Sequence, residues 1–293
     1  MKKLTIFTPT YNRAYILPQL YNSLTRQTDK NFCWLVVDDG STDETELLFN
    51  KWVQENLIDI KYIKQVNGGK MRAHNTGVKA CDTDLFVCVD SDDYVVDDAV
   101  ENILDNYKNW ETRYEISGMI AYKGKKDNNL LSSVFPKGVK IITLGDLYRK
   151  GFSGDTTLVY RTKILQEYLF PEIVGEKFVT EDYVYCQIDE KYKMILNPKI
   201  ITICEYLQDG YTKNAIRLIV NNPKGMLNYY NLKIVYAKSI KERALYVIRY
   251  TAFAKLCGRK HNFKNCKSKF LYIFCLPVSY CYYFNKKKLL KAE

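Results

Sequence analysis

Histidine is nearly missing from this chain: there are two in 293 residues, His74 and His261. That excludes a metal centre built from several imidazoles. Proline is sparse, at seven residues, and the chain has no internal repeat or low-complexity tract. No Cys-x-x-Cys pair occurs among the nine cysteines, and most of them, such as Cys33, Cys88 and Cys204, sit inside apolar runs. An odd number without a regular framework reads as reduced cytosolic thiols rather than disulfides. Cys257, Cys266, Cys275 and Cys281 lie near His261, but their spacing matches no usual zinc-ligand pattern. The start, Met1-Lys2-Lys3-Leu4, runs straight into a strand-like segment and carries no leader-length apolar run, so export through a signal is not expected. The Phe270–Phe284 run is almost wholly apolar but has only 15 residues. A spanning helix needs roughly 20.

What is present is a globular composition: 47% hydrophobic, 14% aromatic with 25 tyrosines, and 26% charged. The length suits one large domain with an appendage, or two small domains. Charge is unevenly spread. From Tyr211 onward, 18 Lys and Arg face only Glu242 and Glu293, giving +16 and leaving −5 for residues 1–210 of a chain whose total is +11. The first part is mildly acidic, whereas the tail suits an anionic partner.

One stretch organises the first part: Leu85-Phe86-Val87-Cys88-Val89 followed by Asp90-Ser91-Asp92-Asp93. The apolar run reads as a strand covered on both faces. The acids then stand where a central strand leaves the core, the end at which open α/β sheets bind ligands. Carboxylates this close repel one another, and a hard divalent cation would relieve the repulsion. The alternative for this stretch alone is a polar turn capping the next helix.

In chain order, Leu4–Phe7 reads as a strand broken by Pro9, and a helical pattern runs from about Ala14 to Gln27. Phe32–Val37 is a second buried strand, ending in Asp38-Asp39-Gly40, with Thr42 or Asp43 to cap a helix through Trp52. Ile60–Ile63 is a short strand, and Asn67-Gly68-Gly69-Lys70 is a turn followed by a helix to about Ala80. Strands alternating with helices at this spacing imply parallel β-α-β units. The polar clusters after the first, second and fourth strands then converge on one sheet edge. Further on, Glu115–Tyr122 and Asp155–Tyr160 read as strands and Lys123–Asn129 as a charged loop tip. A helix starts near Thr180-Glu181-Asp182; Met194–Leu196 and Lys199–Tyr206 read as two short strands; and Gly210 marks a boundary. These readings place the first domain at 1–210, in halves of about 1–110 and about 111–210. A basic, aromatic-rich helical region follows at 211–293.

Five motifs fall in one order: TPTYNR at 8–13, VVDDGSTDET at 36–45, NGGKMRAHNTG at 67–77, VDSDD at 89–93 and TEDYVY at 180–185. Together they resemble family 2 glycosyltransferases, and the likeness covers roughly residues 1–210. The resemblance implies the GT-A fold, an α/β architecture with a mainly parallel twisted sheet flanked by helices. It also implies transfer of a sugar from a nucleotide-diphosphate donor of the UDP type, with inversion, using Mn²⁺ or Mg²⁺. Position by position, it puts Pro9, Tyr11 and Asn12 at the nucleoside and Asp39, supported by Asp38, on the base. Lys70 and Arg72 go near the sugar and phosphates, Asp90 and Ser91 at the ribose side, and Asp92 with Asp90 on the metal. Asp182 would be the general base, beside Glu181. Inversion by direct displacement asks for one base and neutralisation of the leaving diphosphate, and no protein nucleophile. Where relatives often read Lys-His, this chain reads Lys-Met-Arg-Ala-His, and His74 reads as a polar helix residue.

In the tail, Lys241–Lys255 has helical character with Leu245, Ile248, Ala252 and Leu256 on one side. The 270–284 run is interrupted by Pro277 and flanked by Lys267, Lys269 and Lys286-Lys287-Lys288. This pattern fits non-spanning attachment to anionic lipid; the alternative is a core helix packed within the protein. No nucleic-acid-binding motif accompanies the charge. The reading is therefore a cytoplasmic enzyme, peripheral on the inner face of the membrane. It would use a nucleotide sugar to extend a surface glycan or lipid-linked acceptor. The competing class is a non-catalytic module of the same fold that binds membrane or another anionic partner through its tail.

Overall fold

The structure, a computed structural model, describes residues 2–127, 129–204, 215–258 and 262–292. Tyr206, Gly210, Tyr211 and His261, each given a place above, lie outside the described residues. The chain divides into two compact units, Met1–Leu169 with Gln187–Leu207, and Phe170–Cys186 with Gln208–Glu293.

The first unit is built on strands β1 (Leu4–Thr10), β2 (Phe32–Asp38), β3 (Ile60–Lys64), β4 (Leu85–Cys88), β5 (Asp93–Val95), β6 (Ile116–Gly124), β7 (Ile141–Ile142), β8 (Thr156–Arg161) and β9 (Lys193–Cys204). They form one sheet in the order β3-β2-β1-β4-β8-β6-β9-β5, with β7 on β9. From β3 to β4 all neighbours are parallel. The strand β8 is antiparallel to both β4 and β6, so the parallel run stops there. Helices α1 (Leu17–Thr25), α2 (Thr45–Glu55), α3 (Lys70–Ala80), α4 (Ala99–Lys108), α5 (Leu144–Arg149) and α6 (Thr162–Glu167) connect these strands. Helix α7 (Asp182–Ile188) precedes β9.

The strands β1, β2 and β4 are buried on both faces; β2 and β4 are apolar runs as that requires, and β1 also buries Thr5, Thr8 and Thr10. On one side, α1 and α2 deliver Tyr21, Phe49 and Trp52 onto Trp34 of β2, with Tyr21 and Trp52 stacked 4.3 Å apart. Pro9 does not break β1; it pairs with Val37. The carbonyls of Lys3 and Phe7 face β4, so Pro9, in the same alternation, turns its missing N–H to that side. The β4 pairing has already ended there, at Phe7 and Cys88, so no ladder bond is lost. The two short strands read at 194–206 are one strand, β9, with a register shift after Asn197 that accommodates Pro198. Lys123 is also not a loop tip but the penultimate residue of β6.

Gly118 sets how closely β6 and β8 lie. A Cβ there would meet the Val159 carbonyl oxygen at 1.9 Å. Gly118→Ala is expected to destabilise the first unit by about 3 kcal/mol, at the upper end for overpacking, because backbone must move. Denaturant unfolding measures this, and an unchanged midpoint would show that the strand pair yields freely.

In the second unit, helices α8 (Ala215–Asn221), α9 (Pro223–Tyr236), α10 (Ile240–Leu256), α11 (Asn262–Asn265), α12 (Lys269–Phe274) and α13 (Leu276–Ala292) surround a small core. Met226, Tyr230 and Ile234 of α9 meet Val247, Tyr250 and Phe253 of α10. Helix α10 is capped by Ser239, whose hydroxyl accepts from the Glu242 N–H. The side of α10 read from sequence is only partly buried: Ala252 is buried and Leu256 packs on the core, but Leu245 is exposed, while Val247, Tyr250 and Ala254 also point inward. That helix is apolar on several sides, so periodicity alone could not choose between them. Pro277 falls in the first turn of α13, where its missing N–H costs nothing.

Candidate functional site

Because β1, β2 and β4 are parallel, their carboxyl ends share an edge, and the 8–13, 38–45 and 89–93 clusters all leave from it. Asp38 closes β2 fully buried; its carboxylate accepts from the Ser41 N–H at 2.7 Å and from the Tyr62 hydroxyl. Asp39 turns toward the 65–69 loop. Its Oδ1 accepts from the Gly68 N–H at 2.8 Å and the Gln65 amide at 2.7 Å, and its Oδ2 from the Gly69 N–H at 2.7 Å. Gly69 has φ +93°, a conformation that glycine alone adopts freely, and it opens α3. Asp39 thus builds the loop that starts α3, and Oδ2 retains a lone pair for one further donor.

Asn12 locks the first loop onto this turn. Its N–H donates to Ser41 Oγ and its Oδ1 accepts from the Thr42 N–H, both at 2.8 Å. Tyr11 beside it is about half exposed and Pro9 is buried in the strand. Arg72 lies against Gly68, where an added Cβ would come within 2.7 Å of its Cδ. His74 lies in α3, as read, but is buried there, edge-on to Phe7 and Phe86.

The three acids after β4 are treated differently by their neighbours. Lys70, the first residue of α3, puts Nζ 2.8 Å from Asp90. Burial pushes the Asp90 carboxyl up, but Lys70, Lys123 and His74 outweigh it and hold it below the ordinary range. Asp93 pairs with Lys123 at 2.7 Å, and both side chains are largely buried. Burial works against the Lys123 ammonium, yet Asp93 and Asp90 keep it raised. Asp92 forms no ion pair among the described residues. Burial raises its pKa, the charges of Asp90 and Asp93 raise it further, and Arg13 opposes them only in part.

Among the described residues, no three His, Cys, Asp or Glu side chains are grouped to hold a metal. The acids still fit one. Asp92 carries uncompensated negative potential, and a hard cation such as Mg²⁺ takes one or two protein carboxylates and completes its shell with phosphate oxygens and water. Asp92, with Asp90 beside it, is the group that would hold it.

Asp182 and Glu181 belong to the second unit, not the first. Glu181 is exposed and Asp182 begins α7. The Tyr229 hydroxyl donates to Asp182 Oδ2 at 2.8 Å, and Lys233 Nζ stands 2.9 Å from the same oxygen. Lys123, Lys233 and Tyr229 escaped the sequence reading. Lys123 follows an apolar strand and looks like a tip, while Lys233 looks like one more charge of a basic tail. Only pairing across elements distinguishes them.

A parallel-sheet edge carrying clustered carboxylates and a glycine-led helix start defines an α/β protein whose candidate site lies at the carboxyl ends of its strands. The model of the family described as Glycosyl transferase family 2 matches residues 5–169, more than half of the chain, and the protein belongs to that family. It is similar to the poly(ribitol-phosphate) beta-N-acetylglucosaminyltransferase TarP of Staphylococcus aureus, 25% identical over 286 residues, covering 92% of this chain and 84% of TarP. It is also similar to TarS of the same species, 28% identical over 176 residues, covering 59% of this chain but only 30% of TarS. Among solved structures, TarS 1-349 in complex with UDP-GlcNAc superposes with a TM-score of 0.61 at 20% identity, covering 94% of this chain and 80% of that one. The mannosyltransferase PcManGT from Pyrobaculum calidifontis, in complex with GDP-Man and Mn²⁺, gives 0.57 at 15% identity, covering 98% and 85%. At these identities the likeness is one of fold, a large sheet flanked by helices.

Proposed function

We propose that this chain is an inverting glycosyltransferase that moves a sugar from a UDP-type donor to an acceptor hydroxyl in cell-surface polysaccharide synthesis. The observation that carries the reading is Asp92: of three adjacent acids at the sheet edge, it is the one with no ion-pair partner among the described residues. A divalent cation on Asp92 and Asp90 would neutralise charge on the departing diphosphate. Asp39 and the 8–13 loop would seat the nucleoside, and Lys70 and Arg72 the donor's phosphate side. Asp182 would accept the acceptor's proton. TarP and TarS are named as acting on poly(ribitol-phosphate), and TarS was solved with UDP-GlcNAc. UDP-GlcNAc is therefore the first donor to try. The test is release of UDP from a panel of UDP-sugars with Mn²⁺, alongside donor-induced thermal shifts. Release from one donor above the rest is expected. Shifts without release from any donor would favour the non-catalytic module.

The tail supports attachment to anionic lipid. Phe270, Ile273, Phe274, Val278 and Phe284 are each more than half exposed. Phe270, Ile273 and Phe274 lie on the outer side of α12 and Val278 and Phe284 on that of α13, with exposed Pro277 and Cys281 between them. The opposite face, with Leu271, Tyr272, Cys275 and Tyr282, packs on the core of the second unit. Lysines flank the face at 267, 269 and 286–288, and no acid occurs between Glu242 and Glu293. A second copy docking here would bring like charges together, whereas an anionic surface complements them. Among the described residues, no helix is long and apolar enough to cross a membrane.

Each lysine near such a surface contributes about 1 kcal/mol, and salt screens it. Apolar burial does not respond in this way. High salt is therefore expected to release the protein only partly from phosphatidylglycerol vesicles. Replacing Phe270, Ile273 and Phe274 with Ser should make that release complete, and changing Lys286, Lys287 and Lys288 to Gln should weaken binding and its salt dependence. Vesicle co-sedimentation reads all three, and full-length protein left in the supernatant at low salt overturns the lipid reading.

A further inference from the structure

We propose that Lys233 and Tyr229 are positioning residues for Asp182, holding one carboxylate oxygen so that the other faces the acceptor hydroxyl. The proposal rests on the reading of Asp182 as the base. Both residues stand on α9, one turn apart, so their side chains leave the same face of the helix. Both reach the same atom, Oδ2 of Asp182, at 2.8 Å and 2.9 Å. The described contacts of Asp182 to other side chains all fall on that oxygen, and its side chain is 37% exposed. Oδ1 is the atom left for the proton.

Lys233 is an unusual tail lysine because it is buried, at 9% exposure. Burial alone would push its ammonium toward the neutral form. The Asp182 carboxylate and Tyr246 reverse that, and its pKa lies above the ordinary lysine value. The Tyr246 ring, with its centroid 5.4 Å from Nζ, seats the ammonium from α10. Tyr229 is partly buried, and that burial together with the Asp182 charge raises its pKa, so its proton stays on the phenol and serves as a donor. A charged donor and a neutral one fix both the position and the rotation of the carboxylate.

The chemistry gives this a use. In direct displacement, the acceptor oxygen forms its bond to the anomeric carbon as the bond to the diphosphate oxygen breaks. The electron pair leaves with the diphosphate, and the acceptor proton passes to Oδ1. A carboxylate free to rotate would spend most orientations with neither lone pair on the hydroxyl. One pinned through Oδ2 is already aligned, and small misplacements of a reacting group are costly. A purely structural ion pair tying α7 to α9 would instead show up only in stability.

The test uses full-length protein, UDP release from UDP-GlcNAc with Mn²⁺ as the readout, and donor Kd measured separately. Lys233→Met is expected to slow release by up to about 10²-fold, the scale of a misplaced group, with donor Kd unchanged. Lys233→Arg should recover most of the rate, and Tyr229→Phe should lose less than Lys233→Met. In an Asp182→Asn background neither Lys233→Met nor Tyr229→Phe should cause further loss, because both act through the missing carboxylate. If Lys233→Met folds poorly, Tyr229→Phe in the two backgrounds carries the same comparison. Equal losses in both backgrounds, or wild-type rates in Lys233→Met and Tyr229→Phe, overturn the positioning role while leaving the base in place. A wild-type rate in Asp182→Asn alone overturns the base and this proposal together.

Discussion

Asp92→Asn is expected to abolish sugar transfer and to remove the metal dependence of donor binding. Asparagine keeps the shape of the side chain and one carbonyl acceptor but loses the charge. The neighbouring acids cannot take over. Asp90 is engaged by Lys70 and Asp93 by Lys123, each pair within 2.8 Å. Asp92 is the member whose ionisation is opposed by burial and by the two flanking carboxylates, and it gains most from a cation. The fold should survive the change, because removing a repelled charge relieves strain rather than adding it. Asp93→Asn is the contrasting control: it strands the buried Lys123 ammonium and should cost stability, since breaking one side of a buried pair leaves an uncompensated charge. Mn²⁺ titrations of donor binding, with thermal melts, separate the two. If Asp92→Asn keeps wild-type turnover and an unchanged Mn²⁺ titration, the metal is not held there.

The parallel half of the first unit was legible in the sequence because each of its signals is local. The run 85–89 is apolar, is followed at once by acids, and folds as a buried strand over 85–88 with those acids at its exit. The turn read over Asn67–Lys70 is followed by a helix, and α3 begins one residue sooner, on Lys70 itself. What stayed hidden depends on partners far along the chain. Pro9 continues β1 because β4 ends where it does, and no window around Pro9 contains β4. Lys123 was read as a solvated tip because charge after an apolar run usually is one; Asp93, 30 residues earlier, makes it interior. The two pieces of β9 were separated by Asn197-Pro198, a local break that pairing with β6 bridges by a register shift. On α10, where several faces are apolar, only the position of α9 decided that Val247 rather than Leu245 turns inward. The candidate acids were found from the motif, but their division of labour was not, because it is set by Lys70 and Lys123 arriving from other elements.

Asp182→Asn is expected to slow transfer by about 10²–10⁴-fold, the usual contribution of a general base, while donor binding is retained. The amide can still accept the Tyr229 hydroxyl, so the local geometry should hold, but it cannot take a proton from the acceptor. It also leaves the Lys233 ammonium, 2.9 Å away, without its counter-charge. A modest loss of melting temperature should therefore accompany the loss of rate. Donor affinity is the discriminating measurement, because the residues read at the nucleoside and phosphates belong to the first unit and Asp182 to the second. An unchanged donor Kd with a collapsed rate marks a group that acts on the acceptor in the transition state. Glu181→Gln should cost less, since Glu181 is exposed. If the two variants came out in the opposite order, the base would be Glu181, and the Lys233–Asp182 pair would be an anchor for α7 rather than part of the chemistry.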